Sequence, residues 1–356
     1  MFRVLFKVRK RDECSMVRVA VDAMGGDNAP AEIVKGCLQA LRTDKDIQVL
    51  LVGKEELIWK ELKANGVNKI KDGGRLKIVN ATEVIETGDA PVASIRSKKD
   101  SSIVVGMKLV RNKEADAFVS AGSSGAILVG GQVIVGRIKG IERAPFAPIL
   151  PTDNGGVTLL LDAGANVDAR SSHLKQFAQM GAIYMEHALG IKNPKVAILN
   201  VGLEEEKGNA LVKETYPLLK QMKEEKGMNF IGSIEAREVT HGYADVCVCE
   251  GFTGNMVLKM MEGTASSVLK LMKKAMVSNL RSKIGALLLK PALKTALADL
   301  DGSKFGGAPM LGLNGLVVKT HGNAKANEIC NALMQCKTFH EEKINEFIAK
   351  ETGVGA

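Results

Sequence analysis

The sequence predicts an α/β protein built on a mainly parallel, doubly wound sheet. Two observations carry this prediction. A short apolar strand, a polar turn and a helix recur about six times along the chain, the order a parallel sheet needs because each strand must cross over before it pairs again. The apolar runs also end on polar residues, Asp22, Ser120, Asp162, Asn200, Glu250 and His321, close to glycines. In such sheets, loops and helix N-termini converge on ligands at the carboxyl edge. One polar strand end is ordinarily a cap or turn former; several followed by glycine point to a shared site.

The first unit is Met16 to Leu41, MVRVAVDAMGGDNAPAEIVKGCLQAL. Val17, Val19 and Val21 favour a strand, and Gly25-Gly26 lets the backbone turn tightly and approach a ligand. Asp27 or Asn28 is placed to cap a helix opening at Pro30. A helix start beside paired glycines suits an anion, and it equally suits a plain strand-to-helix turn. The second unit runs Ala115–Ala121 into Gly122-Ser123-Ser124-Gly125 and the small-residue helix AILVGGQVIVG. Its serines offer a phosphate cradle or a capped turn. In the third, Gly156–Leu161 leads into Asp162-Ala163-Gly164-Ala165-Asn166, with a helix from about Ser172. The fourth takes Lys195–Asn200 into VGLEEEKGN, whose Glu204-Glu205-Glu206 run reads as a solvated acidic helix start. The fifth passes from Ala244–Cys249 into Glu250-Gly251-Phe252-Thr253-Gly254-Asn255, and the last from Gly315–Lys319 into Thr320-His321-Gly322-Asn323 and a final helix.

Between these units, Arg96 lies with Lys98 and Lys99 in ASIRSKKDSS. One such cation suits phosphate, with arginine able to bind bidentately; a solvated charge cluster accounts for the others. Asp22, Asp27 and Asp162 suit loop fixation or a metal, and turn capping explains any one of them. His321 suits acid–base chemistry, since histidine titrates near neutral pH, or a structural role at a strand end.

Thr264–Leu300 has a different pattern. Apolar residues recur at helical spacing, with Ile284, Leu287, Leu288, Leu293 and Leu297 forming a face and Pro291 starting or kinking a second helix. Lys270, Lys273, Lys274, Arg281, Lys283, Lys290 and Lys294 surround them without an acidic residue before Asp299. A basic amphipathic helix pair suits an anionic membrane surface or an acidic partner; the other reading is a stripe packed in the core or a dimer interface.

Composition narrows the classes. The 356 residues are 46% hydrophobic and 25% charged, as in globular proteins, and the net charge of +9 favours anionic partners. Aromatics at 4% argue against base-stacking platforms, and no nucleic-acid recognition motif occurs. The six cysteines show neither CxxC nor a disulfide framework, and no HExxH occurs, so no metal site is expected and a reducing cytosol fits. Cys247 and Cys249 share a strand face, most simply in the core. GxxxxGK[ST] and GxGxxG are both missing, which removes a standard P-loop enzyme and weakens a dinucleotide-binding dehydrogenase. Residues 1–15 are basic without an apolar core or cleavage site, and read as a disordered extension ahead of a single domain over 16–356. No run reaches the ~18–20 apolar residues that span a bilayer.

Taken in order, VAVDAMGGDNAP, SAGSSGA, LLLDAGAN, NVGLEEEKGN, GFTGN followed by LKMMEG, and GGAPMLGLNG followed by HGN resemble the bacterial phosphate acyltransferases of phospholipid synthesis. The likeness runs from Val17 to the C-terminal helix. It departs at Ser123-Ser124, where Asn-Thr is common, and at Glu250, where Asp is usual. The resemblance implies a three-layer α/β/α sandwich like that of phosphotransacetylases and isocitrate-dehydrogenase-like enzymes, usually a homodimer. A protruding helical pair would map to 264–300, with Lys283, Ile284, Leu287, Leu288 and Lys290 meeting the membrane.

The implied reaction moves a long acyl chain from acyl–acyl carrier protein to inorganic phosphate, without cofactor or metal. The implied setting is cytoplasmic and peripheral to the membrane, where a glycerol-3-phosphate acyltransferase uses the product. Gly25, Gly26, Ser123 and Ser124 are then expected to line the phosphate pocket, with Arg96 as counter-ion and Asp22, Asp27 and Asp162 fixing its loops. Asn166, Asn200 and Asn255 are candidate donors to phosphate or the thioester oxygen, and His321 is the acid for the leaving thiolate. The competing classes are a short-chain acyl-CoA phosphotransacetylase, a nicotinamide-dependent dehydrogenase, and a non-enzymatic scaffold for carrier protein at the membrane.

Overall fold

The computed structural model describes residues 16–71, 73–299 and 302–352, and within these every side chain except those of 294–299 and 303. The expected 1–15 extension, Leu300, and the side chains of Lys294, Leu297 and Asp299 lie outside the described residues. In chain order the elements are β1 (Val17–Asp22), α1 (Ala31–Thr43), β2 (Ile47–Gly53), α2 (Glu55–Ala64), β3 (Leu76–Asn80), α3 (Pro91–Ser97), α4 (Ser102–Arg111), β4 (Ala117–Ser120) and α5 (Ser124–Gly130). Then come β5 (Ile149–Pro151), β6 (Val157–Leu161), α6 (Ser171–Leu189), β7 (Val196–Leu199), α7 (Ala210–Lys226), β8 (Phe230–Ile234), β9 (Val246–Val248), α8 (Gly251–Met276) and α9 (Leu280–Asp299). The chain closes with β10 (Ala308–Met310), β11 (Leu316–Lys319), α10 (Ala326–Glu341) and α11 (Ile344–Glu351).

The strands divide between two sheets, and the chain between two compact units. The first unit holds the chain to Pro148, Gln179–Pro194 and the chain from Ser303; the second holds Ile149–Ala178 and Lys195–Gly302. The first unit's sheet has the order β10-β11-β4-β1-β2-β3, parallel except for the β10–β11 pair. Central strands of a covered parallel sheet are apolar on both faces, and five of the six residues of β1 are buried. From β1 the chain builds outward through β2 and β3, then crosses to β4 on the other side. The strand order therefore reverses between β1 and β4, the position where such sheets open a ligand crevice. Around this sheet α1 and α10 cross closely: a Cβ on Gly36 would lie 2.6 Å from both the Ala326 carbonyl oxygen and the Ile329 Cβ.

The second unit's sheet has the order β5-β6-β9-β7-β8, parallel except for β5–β6. Leu160, Leu199, Ile234, Cys247 and Cys249 are buried in its core, with Val257, Leu258 and Met261 of α8 packed on them. Beyond that first stretch α8 emerges, and Lys270, Lys273 and Lys274 are exposed with Leu271.

Several local expectations are corrected. The α8–α9 break falls at Val277–Asn279, where Asn279 Oδ1 accepts from the Ser282 amide at 2.9 Å; Pro291 sits inside α9. Asn279 therefore caps the start of α9, and Pro291 lies inside that helix rather than starting it. Leu287, Leu288 and Leu289 are 71%, 78% and 51% exposed, so the apolar surface is wider than one stripe and is not core. The acidic run at Glu204 is an exposed turn ahead of α7, which Asn209 caps. Among the described residues no helix is long and apolar enough to cross a membrane.

Candidate active site

At the reversal point of the first sheet, β1 and β4 end side by side on Asp22 and Ser120. Ser120 Oγ donates to Asp22 Oδ2 at 2.6 Å, and the Gly122 amide donates to Ser120 Oγ at 3.0 Å. The Met24 amide donates to Asp22 Oδ1 at 3.0 Å. Burial pushes the Asp22 carboxyl above the ordinary carboxylate range, while hydrogen bonds from Ser102, Ser120, Met24 and Gly25 act in the opposite direction. Asp22 thus knots the two strand ends from inside.

Glycine is required here by space. A Cβ on Gly25 would sit 2.3 Å from Asp22 Oδ2 and 2.7 Å from the Gly122 amide nitrogen. Gly26 adopts φ +96°, and its Cβ would meet the Gly322 carbonyl at 2.7 Å. That approach brings in the turn after β11: the Asp27 amide donates to Gly322 O at 2.7 Å, and Asn28 Nδ2 donates to Asn323 O at 2.8 Å. Neither Asp27 nor Asn28 caps α1. Pro30 occupies the cap position with no side-chain bond, because Asn28 is turned to the final turn of the sheet. Asp27 is exposed, as is His321, whose carbonyl accepts from the Ala324 amide at 3.0 Å.

The turn after β4 supplies the expected cap. Ser123 is buried and caps α5, its Oγ accepting from the Ala126 amide at 3.4 Å; Ser124 is the exposed first residue of the helix. Among the described residues, the amides of Gly26, Ser123 and Ser124 donate to no protein acceptor. α3 packs on α5, with Pro91 Cγ 2.5 Å from where a Gly125 Cβ would lie. On α3, Arg96 is exposed and makes no ion pair with a described residue. Lys98 is engaged, by Asp89 at 2.6 Å and Val84 O at 2.8 Å.

The second unit repeats the arrangement with a different outcome. Asp162 is wholly buried at the end of β6, accepting from the Ala165 amide at 3.1 Å, the Asn166 amide at 2.6 Å and Asn166 Nδ2 at 2.9 Å. Gly251 and Gly254 let α8 press onto this turn: a Cβ on Gly254 would lie 1.9 Å from Asp162 O. Glu250 caps α8, accepting from the Thr253 amide at 3.1 Å. Asn200 braces its loop, donating to Lys207 O and Ser233 Oγ at 3.2 Å each and accepting from the Val201 amide at 2.8 Å. Asn166 and Asn200 thus hold turns, whereas Asn255 is half-buried, and a Cβ added on Gly164 would lie 3.5 Å from its side chain.

The structure therefore brings Asp22, Gly25, Gly26, Ser123 and Ser124 to one edge, alongside the turn bearing His321. Within the second unit, Asp162 is bonded by the Asn166 amide and side chain. Sequence reasoning gave Asn28 a capping role that the structure does not show, and it did not single out Ser102 or Lys319, which also stand at these strand ends. For Lys319 a signal existed, a lysine closing the apolar run GLVV; for Ser102 none did, because its partner Asp22 is distant in sequence.

A family model described as fatty acid synthesis protein matches residues 17–346. The chain belongs to that family. The phosphate acyltransferase of Alkaliphilus oremlandii is 48% identical over 334 residues, covering 94% of this chain and 97% of that protein. The phosphate acyltransferase of Thermoanaerobacter pseudethanolicus is 46% identical over 335 residues, covering 94% and 97%. Among solved structures, a phosphotransacetylase from Streptococcus pyogenes superposes with TM-score 0.61 at 15% identity, covering 91% of this chain and 94% of that one. EutD phosphotransacetylase from Staphylococcus aureus gives 0.57 at 16%, covering 92% and 95%. These two likenesses bear on the fold, and they agree with the α/β architecture that the strand–turn–helix order predicts.

Proposed function

We propose that this protein is a phosphate acyltransferase that moves a long-chain acyl group from acyl–acyl carrier protein to inorganic phosphate, supplying acyl phosphate for phosphatidic acid and phospholipid synthesis. The family membership and its relatives' activity support the reaction, and one observation supports its location. The Gly25-Gly26 and Gly122–Ser124 turns offer the amides of Gly26, Ser123 and Ser124, which meet no acceptor among the described residues, next to an exposed serine hydroxyl at the reversal point of the first sheet. Such donors suit a phosphate oxyanion.

A phosphate oxygen attacks the thioester carbonyl carbon. The new C–O bond forms, the C–S bond breaks, and the proton of hydrogen phosphate ends on the departing sulfur. Phosphate is itself the nucleophile, so no acyl-enzyme is required. In keeping with this, the five described cysteines are buried, and burial pushes the Cys247 thiol up to about 12, far from a reactive thiolate. The work left to the protein is orientation and stabilisation of the tetrahedral oxyanion. Gly25, Gly26, Ser123 and Ser124 hold phosphate in this scheme, with Arg96 as an outer counter-ion. Asp22 and Asp27 position the loops, as Asp162 does in its own unit. His321 is the acid that delivers the proton to sulfur.

The exposed apolar residues of α9, Ile284, Leu287 and Leu288, beside Lys283 and Lys290, support docking on an anionic membrane surface from the cytoplasm. There the product reaches a membrane glycerol-3-phosphate acyltransferase without crossing water. A homodimer completes the proposal.

The deciding experiment is acyl-phosphate formation, trapped as hydroxamate, with palmitoyl-carrier protein and palmitoyl-CoA as separate donors at varied phosphate. Phosphate-dependent product with strong carrier-protein preference is expected. Product from CoA alone would reassign the protein as a phosphotransacetylase, the activity named for its structural likenesses. Binding to carrier protein and vesicles without turnover would make it a scaffold.

A further inference from the structure

The carboxyl edge of the first unit's sheet continues beyond the glycine turns. β1 pairs with β2 and β2 with β3, so that Asp22 stands beside Val52 and Gly53 beside Asn80. Neighbouring strands lie ~4.8 Å apart, which makes the ends of β2 and β3 the next positions along the edge that carries Gly25-Gly26. Met24 joins the two stretches. A Cβ on Gly53 would lie 2.8 Å from Met24 Cγ and 3.0 Å from its Cε, so this half-buried side chain lies across the end of β2. Just past Gly53, Lys54, Leu57, Trp59, Asn80 and Thr82 line an open groove of about 720 Å³. A second hollow of about 670 Å³ shares Glu56 and Trp59 with it and reaches Lys60, Lys63 and Asn68.

α2 sets this layout. Ile58 and Leu62 are buried against the unit, which leaves the row Glu55, Trp59, Lys63, each four residues apart, on the outer side. Trp59 is half-buried, and its Nε1 donates to Glu55 Oε1 at 3.2 Å, fixing the indole where the two hollows meet. Asn80 Oδ1 accepts from the Glu55 amide at 3.2 Å, and its Nδ2 meets no acceptor among the described residues. Lys60 and Lys63 are exposed and form no ion pair with a described residue. The surface thus runs from a cationic end, past an aromatic and amide-bearing middle rimmed by Glu56, to Met24 beside the glycine turn.

A carrier protein presents its acyl group on a phosphopantetheine arm, which has a phosphodiester at its base, a dimethyl group, a hydroxyl and two amides along its length, and the thioester at its tip. The base is anionic and the middle is neutral. Lysines suit the phosphodiester, an indole suits the dimethyl and methylene stretch, and the Asn80 amide and Thr82 hydroxyl suit the arm's own amides. From Lys54 to Lys63 the helix covers about 13 Å, within reach of an extended arm. Resting on the acyl transfer proposed above, the geometry points to this groove as the seat of the donor's phosphopantetheine arm. Lys60 and Lys63 hold its phosphodiester, Trp59 packs on its middle, and its sulfur end passes over Met24 toward Gly25-Gly26.

Trp59 is the chain's one tryptophan, so its fluorescence reports on the groove directly. Wild type is titrated with 4′-phosphopantetheine and with pantetheine, and donor and phosphate KM are measured by the hydroxamate assay in full-chain variants. A saturable change in Trp59 emission is expected, at lower concentration for phosphopantetheine than for pantetheine. Trp59→Ala is expected to raise the KM for palmitoyl-carrier protein roughly tenfold or more at unchanged phosphate KM, and Trp59→Phe to recover most of that loss. Should Trp59→Ala not fold, the surface double variant Lys60→Glu, Lys63→Glu takes its place, with the same rise expected. An unchanged donor KM in the folded variant would overturn the assignment, as would emission indifferent to phosphopantetheine. Emission that changes with protein concentration and not with phosphopantetheine would also overturn it, giving the groove to a second copy of the chain. If wild type forms no acyl phosphate from any donor, the acyl-transfer proposal fails, while the phosphopantetheine titration still decides the groove.

Discussion

Gly25→Ala is the sharpest probe of the strand-end knot. The added Cβ would sit 2.3 Å from Asp22 Oδ2, 2.7 Å from the Gly122 amide nitrogen and 2.9 Å from its Cα. Real Cβ atoms essentially never approach closer than 3.0 Å, so about 0.7 Å of movement is needed against the carboxylate. Two of the three obstructing atoms are backbone, and Asp22 is locked by Ser120 at 2.6 Å and by the Met24 amide. Neither side yields without loosening a hydrogen bond. Overpacking of this kind costs about 2 kcal/mol, which lowers the melting temperature of a unit of this size by roughly 4–8 °C. Because the strain separates the Gly25-Gly26 turn from Gly122–Ser124, turnover should suffer more than stability does; displacements of ~1 Å in positioning groups cost about a hundredfold. Scanning calorimetry and the hydroxamate assay at varied phosphate measure the two effects. A Gly25→Ala protein that melts within about 1 °C of wild type, with unchanged phosphate KM, would refute the close approach of these turns and the pocket built on it.

Other substitutions address separate parts. Ser124→Ala should raise the phosphate requirement with little change in melting, and an unchanged phosphate KM would remove this hydroxyl from the pocket. Ser123→Ala removes a cap whose bond is long at 3.4 Å, so denaturant unfolding should report a loss near the low end of cap values, about 0.5–1 kcal/mol. The raised Asp22 carboxyl makes the folded state hold its proton more tightly than the unfolded chain does. That contribution is fully present below the unfolded value and is lost as pH rises through the folded one. Asp22→Asn should flatten this decline in a stability–pH series, and a variant retaining the wild-type slope would assign it to another group. Replacing Leu287 and Leu288 by Glu should abolish binding to phosphatidylglycerol vesicles without changing the melting temperature; persistent binding would move the membrane contact elsewhere.

Much of this fold was legible because a buried parallel strand must be apolar and its exit turn must be polar. VRVAVD, GVTLLL and GLVVK announce themselves this way. The strands Ile47–Gly53 and Leu76–Asn80 carry the same apolar signal but lead into turns without paired glycines, so a search keyed to glycine turns passes over them. The division into two sheets was not legible, since hydrophobic patterning gives each strand's environment and not its neighbour. The candidate site was legible to the level of which turns follow the strands. Gly25-Gly26 and Ser123-Ser124 stand together because β1 and β4 are adjacent, a long-range fact that local pattern does not contain. The capping error at Asn28 has the same origin: its amide serves carbonyls about 295 residues away in sequence.

The two buried aspartates show why similar motifs need not share a function. Asp162 draws its partners from the turn that follows it: the amides at 165 and 166 and the Asn166 side chain all close on its carboxylate. A turn whose donors point inward has few left to bind an anion. Asp22 instead takes a hydroxyl from the neighbouring strand, and that hydroxyl in turn fixes the Gly122 amide. Its knot therefore ties two turns together while leaving the amides at 26, 123 and 124 without acceptors among the described residues. Replacing Ser120 by Ala should separate these roles. Asp22 would lose its short hydroxyl bond and Gly122 its acceptor, at about 1–3 kcal/mol for the unsatisfied groups, while every proposed phosphate ligand remains present. A fall in phosphate affinity in a folded Ser120→Ala protein would mean that the pocket depends on the knot's geometry. Unchanged affinity would mean that the two turns hold their positions without it.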